Sequence, residues 1–205
     1  MSPEALAALP IRRYEGRINL VTSPEGLAGA MADIRGDRVV GFDTETRPAF
    51  RKGESYLPSL AQVATAEAVH LFPLDRVDCA SALAELLAAP AIVKAGVALA
   101  HDLSQLGARH PVEPHAVVDL GRIARRHGMR QTGLRNLAAL FLGIRIPKGA
   151  RTSNWAAPRL SPAQLVYAAT DAWVGRELYL CFEKQGMLAD NGAMQAKVRQ
   201  PAQNL

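Results

Sequence analysis

Leu27, Met31 and Ile34 recur at three- and four-residue intervals in "PEGLAGAMADIRG", the period of one apolar helical face, so a short helix is expected there after an irregular start. The pattern then changes to an unbroken apolar run, "RVVGF", which predicts the first strand. A loop rich in Pro, Gly and charge, "RPAFRKGESYLP", follows it. "SLAQVAT" and "AVHLF" read as two further strands joined by a tight polar link, which together with the first predicts a three-stranded antiparallel meander. "CASALAELLAAP" is helical up to Pro90, "AIVKAGV" is a strand leading into the helical "HDLSQLGARH", and "HAVVDL" is a short strand. Beyond it the chain reads as helical. "TGLRNLAALFLG" has Thr132 placed to cap and Gly143 placed to terminate. A long helix follows, opened by Ser161, Pro162 and Gln164 in a capping-box arrangement. The tail after about residue 190 is polar and expected to fray.

Composition narrows the class. A chain of 205 residues with 49% hydrophobic and 21% charged residues suits one globular α/β domain and excludes disorder as the main state. No apolar stretch approaches the roughly 20 residues of a membrane span, and no basic region precedes the short apolar patch near the N-terminus, so no membrane segment or signal peptide is expected. Cys79 and Cys181 lie far apart without paired spacing, which points away from zinc or a disulfide framework and toward a reducing, cytoplasmic setting. The net charge of +5 favours a polyanionic partner.

Chemistry enters where "VVGFDTET" ends in Asp43 and Glu45. Side chains at i and i+2 of a strand share a face, so two like charges point the same way; a bound cation, a shared proton or basic partners are the usual reasons. Asp102 in "AHDLSQL" stands at a predicted helix start, where it is either a further site acid or an N-cap completed by Gln105. Asp171 in "YAATDAW" lies mid-helix, where Asp offers no capping benefit, and Tyr167 one turn earlier shares its face. Taken singly, Asp43 and Glu45 also read as solvated loop acids and Tyr167 as a core tyrosine. In an α/β sheet ligand chemistry gathers at strand ends, where all four carboxylates can meet. Hard oxygen donors without His or Cys select magnesium or manganese, and two such ions about 4 Å apart serve phosphodiester cleavage.

"FDTET", "HDLSQL" and "YAATDAW" resemble the three motifs of the DEDD-type 3′–5′ exonucleases, in their usual order, and Tyr167 matches the tyrosine-bearing subgroup. The segment from "GLRNLAALFLG" through "SNW" to "YAATDAW" is similar to ribonuclease D and to the exonuclease domain of the Werner syndrome helicase. The resemblance implies a ribonuclease H-like α/β fold, a mixed five- or six-stranded sheet flanked by helices, over residues 38–188, with an N-terminal extension at 1–37 and a tail at 189–205. It implies two divalent ions, Mg²⁺ or Mn²⁺, and release of nucleoside 5′-monophosphates from the free 3′ end of DNA or RNA. Asp43, Glu45 and Asp171 would hold one ion, Asp43 would bridge to a second supported by Asp102, and Tyr167 would orient the attacking water. The backbone from Thr44 to Thr46 would approach the terminal nucleotide.

Lys148, Arg151, Asn154 and Trp155, in the loop before the long helix, are candidate substrate contacts, with packing the favoured reading of Trp155. Arg47, Arg51 and Lys52 follow the first motif and are placed to touch a strand; Arg122, Arg125, Arg126 and Arg130 either track phosphates or form a solvated helical face. His101, beside Asp102, is expected to pack or hydrogen-bond locally rather than bind a hard metal. Ribonuclease D and the Werner protein carry further domains that this sequence lacks, so a stand-alone exonuclease is expected. A non-catalytic nucleic-acid-binding module on the same fold is the alternative; a ribonuclease H-like endonuclease has no support from the tyrosine motif.

Overall fold

In a computed structural model, which describes residues 2–189 apart from positions 50, 52, 76, 77, 110, 150 and 151, the apolar runs become strands of one six-stranded sheet. The strands are β1 Arg17–Leu20, β2 Val39–Glu45, β3 Leu60–Ala64, β4 Ala68–Pro73, β5 Val93–Gly96 and β6 Val117–Asp119, in the spatial order β1-β4-β3-β2-β5-β6. The meander is present: β2 pairs antiparallel with β3, and β3 with β4. β1, β5 and β6 join in parallel, so the sheet is mixed. The start of the chain is more ordered than its pattern suggested. It contains a helix, α1 Pro3–Ala8, capped by the Ser2 hydroxyl, and β1 forms an edge strand beside β4. Four residues with no clean alternation, pairing across a long crossover, leave little periodicity to read.

Helices cover both faces, because every strand of the meander is buried on both sides. On one side lie α2 Pro24–Arg35, α3 Cys79–Ala88 and α4 Leu99–Arg109, whose apolar faces meet Val40, Phe42, Ala61, Val63 and Phe72. On the other lie α5 Leu120–Arg126, α6 Leu134–Leu137 with a π-helical turn at Ala138–Leu142, and α7 Pro162–Lys184. α6 begins one residue later than expected: its N-cap is Gly133, and the Thr132 hydroxyl instead accepts a hydrogen bond from Arg125. Gly143 ends the π-helical turn in the left-handed conformation, φ 64°, as its glycine predicts.

α7 is the element that places the site. Its capping box is formed, with Gln164 N–H donating to the Ser161 hydroxyl at 3.3 Å and Ser161 N–H donating to Gln164 Oε1 at 3.0 Å. The helix crosses the sheet at Gly41, where a Cβ would stand 1.9 Å from the Ala172 carbonyl oxygen. Only glycine allows helix and strand backbones to approach so closely. Among the described residues no helix is long and apolar enough to cross a membrane.

Lys94 of β5 is fully buried on the α3 side, and its Nζ donates to the Ala89 carbonyl at the end of α3, 2.6 Å away. Burial brings its pKa down to about 8. The unfolded lysine titrates near 10.4, so it binds more protons than the folded one between those values, and stability rises with pH across the window. Lys94→Met is therefore expected to stabilise the domain at pH 7 by about 1–3 kcal/mol, with the gain shrinking above pH 8. Thermal unfolding of both proteins from pH 7 to 10 checks this.

Candidate active site

β2 runs past its neighbour. Its pairing with β5 covers Val39–Gly41, whereas its pairing with β3 continues to Glu45, so Asp43 and Glu45 project beyond the end of β5. Alternation from Gly41 turns both toward α7, and the Gly41–Ala172 contact brings Asp171 over them. Carboxylate oxygens of Asp43, Glu45 and Asp171 all lie within 4.8 Å of one another.

Asp102 is close by but not in that group. α4 starts at Leu99, two residues before the sequence pattern suggests, so Asp102 stands in its first turn rather than at the N-cap. Thr44, on the opposite face of β2 from Asp43, donates its hydroxyl to Asp102 Oδ1 at 2.9 Å. The Thr44 side chain is thus engaged in tethering Asp102. His101 is exposed and stands outside the three-carboxylate group.

The electrostatics fit a cation. Burial, and then the Asp171 and Asp102 carboxylates, push Asp43 well above the usual carboxylate range. Burial also raises Asp171 to about 6, against the lowering effects of the Tyr167 hydroxyl bonded to it and of Arg135. Asp102 is raised by burial and pulled back by Thr44. Asp43 and Asp171, which resist ionisation, form with Glu45 an all-oxygen donor set, which suits a hard divalent ion whose charge offsets theirs.

Tyr167 sits one turn before Asp171 and donates its hydroxyl to that carboxylate. Burial, then Asp171 and Glu45, raise its pKa, so the hydroxyl keeps its proton at neutral pH. Two neighbours hold the ring. Trp155 packs at 6.0 Å between centroids, tilted 39°, and a Cβ on Gly149 would fall 2.5 Å from Tyr167 Cδ2. Trp155 is only 2% exposed and packs on Tyr167, the geometry of a packing anchor. Asn154 is exposed, and its Oδ1 accepts from the Ala156 N–H, shaping the turn. Thr46 is half-buried just past β2. Lys148 lines a cavity of about 340 Å³ beside the site, together with Arg13, Gly149, Val166, Tyr167 and Asp171.

Arg151 and Lys52 lie outside the described residues, as does the tail from 190. Arg47 stacks over Tyr56 at 4.0 Å; Arg122, Arg125 and Arg126 line the exposed side of α5 opposite the buried Ile123 and Ala124, and Arg130 beyond it is exposed too. Two cations escaped the sequence reading. Arg13 belongs to a segment that looked irregular, yet Tyr14 N–H donates to the Thr170 hydroxyl and ties that segment to α7. Arg135 acts electrostatically on both Tyr167 and Asp171 and donates to the Pro147 carbonyl at 3.2 Å. No local pattern marks either residue.

A mixed sheet with its acids at the end of a central strand, closed by a late helix, defines a class of nuclease domain, and the comparisons agree: residues 18–186 match the 3′–5′ exonuclease family, and the chain belongs to it. It is 32% identical over 149 residues to ribonuclease D of Haemophilus influenzae, covering 71% of this chain and 36% of that protein. It is 31% identical to the human exonuclease mut-7 homolog, covering 85% of this chain and 23% of that one. The chain thus spans well under half the length of these curated relatives. The Aedes aegypti Nibbler EXO domain superposes with a TM-score of 0.77 at 26% identity, covering 92% of this chain and 99% of that domain.

Proposed function

We propose that this protein is a metal-dependent 3′–5′ exonuclease of the tyrosine-bearing DEDD subgroup, hydrolysing the terminal phosphodiester of DNA or RNA and releasing nucleoside 5′-monophosphates. The observation that carries the reading is the meeting of Asp43, Glu45 and Asp171, with Tyr167 bonded to Asp171, at the open end of β2. Divalent ions at such a cluster would supply charge neutralisation, an activated water and stabilisation of the leaving oxygen. Asp43, Glu45 and Asp171 would hold one ion, and Asp43 with Asp102, the latter held by its Thr44 tether, would support a second. Tyr167 orients the attacking water, a positioning role. In the balanced reaction the water oxygen bonds to phosphorus, the 3′-oxygen of the preceding nucleotide leaves and takes up a proton, and a new 3′ end results. The cavity lined by Arg13 and Lys148 offers two cations to phosphates of the strand.

A 5′-labelled single strand with Mg²⁺ or Mn²⁺ tests the reading. A ladder receding from the 3′ end that vanishes in chelator is expected. Internal cuts, retention without cleavage, or full activity in excess chelator would each overturn it. Matched DNA and RNA strands in the same assay give the substrate preference.

Gly149 supplies a finer test. Gly149→Ala forces the ring of Tyr167 or the backbone beside it to shift. Single-turnover cleavage is expected to slow by roughly 10–100-fold, the scale of a small misplacement of a catalytic group. At pH 8 metal affinity should stay unchanged, and in a Tyr167→Phe background the same substitution should add little. Equal losses in both backgrounds would show that Gly149 acts elsewhere.

A further inference from the structure

Gln62 sits on β3 directly across from Asp43 of β2. Cross-strand partners share a face and stand about 5 Å apart at Cβ, within reach of a glutamine amide. Away from the acids of the site, the surroundings on that face are apolar: Leu60 and Ala64 flank Gln62 along β3, Leu71 faces it from β4, and Ala168, Ala169 and Ala172 of α7 join the same cluster. Gln62 has no solvent exposure, and neither its amide nitrogen nor its amide oxygen has a hydrogen-bond partner. Buried polar groups are almost always bonded, and an orphaned amide costs stability that a leucine or methionine of similar size would not. A purely structural role therefore gives no reason for glutamine here.

We infer that Gln62 is a positioning residue for the metal site: its unpartnered amide nitrogen stands ready to donate to an Asp43 carboxylate oxygen when that carboxylate turns to meet a divalent ion, and so sets its orientation there. The inference rests on the reading of Asp43 as a metal ligand. An ionised ligand oxygen needs a donor, and groups that orient metal ligands in this way commonly set affinity by 10–100-fold. No side-chain amide other than Gln62 stands in the cross-strand position to Asp43, because β5 has already ended on its other side.

Direct Mn²⁺ titration of the intact protein, followed by electron paramagnetic resonance without nucleic acid, tests the inference alongside thermal unfolding in chelator. Gln62→Met keeps the volume and flexibility while removing the amide; Gln62→Glu keeps the shape while replacing the donor by an acceptor. Both are expected to weaken Mn²⁺ by about tenfold or more. Gln62→Met should unfold at the same or a higher temperature than wild type, and in an Asp43→Asn background it should produce no further loss of affinity. Wild-type affinity in Gln62→Met would overturn the positioning role and leave the carboxylate site standing. Absence of Mn²⁺ binding by the wild type would overturn both. Should one variant fail to fold, the other still decides, since either alone must lose affinity.

Discussion

Asp43→Asn is expected to lose exonuclease activity by about 10³-fold or more, beyond the 10²–10³-fold typical of deleting one neutral transition-state donor. The substitution removes a full charge from the residue that would touch both ions. The same variant should be more stable than wild type in chelator at pH 7, because Asp43 is buried against Asp171 and Asp102. The pH dependence fixes the sign. Asp171 titrates at about 6 in the folded protein against about 3.9 unfolded, so the folded state holds the extra proton between those values. In chelator, stability should therefore fall as pH rises from about 4 to about 6, and it should fall less in Asp43→Asn. Saturating Mg²⁺ should flatten the wild-type curve. Thermal midpoints over pH 4–7 with chelator or Mg²⁺, beside single-turnover rates, give both readings. A variant as active as wild type would remove Asp43 from the chemistry.

Tyr167→Phe carries the second large effect. The ring stays clamped by Trp155 and Gly149, so fold and stability should survive. Cleavage should fall by roughly 10²–10⁴-fold, the range for losing a positioned acid–base or orienting group. The hydroxyl also donates to Asp171, and without it that carboxylate titrates still higher. Metal affinity should thus drop near pH 6 and return close to the wild-type value at pH 8. Single-turnover cleavage at saturating metal and substrate, run at pH 8, isolates the orienting role. Equality with wild type there would reduce Tyr167 to a core residue.

The features legible in the sequence are those written locally. Asp43 and Glu45 are two apart on a strand, Tyr167 and Asp171 four apart on a helix, and these spacings alone assign their faces. The meander, the capping box of α7 and the Gly143 terminator are equally local. Features made by distant contacts were not legible. β1 has four residues and a parallel partner reached only after α2, β2 and β3. Thr44 looked like backbone for a nucleotide, but its hydroxyl turns to Asp102, an orientation that depends on where α4 docks. Gln62 reads as one polar break in "SLAQVAT" and gains meaning only from the register with Asp43. Trp155 and Arg135 owe their neighbours to the loop that returns over α7.

The bare backbone contact between Gly41 and Ala172 has a consequence for synthesis of the chain. Asp43 leaves the ribosome early and Asp171 late, and the two meet only when α7 lies down on β2. A nascent chain that still lacks α7 carries its first acids on an uncovered strand and cannot complete the cluster. Domains fold as units while they emerge, so hydrolytic competence would arrive in one step with the docking of the last long helix. A translating ribosome is surrounded by RNA, and under the proposed function this order of assembly would keep the unfinished chain from acting on it.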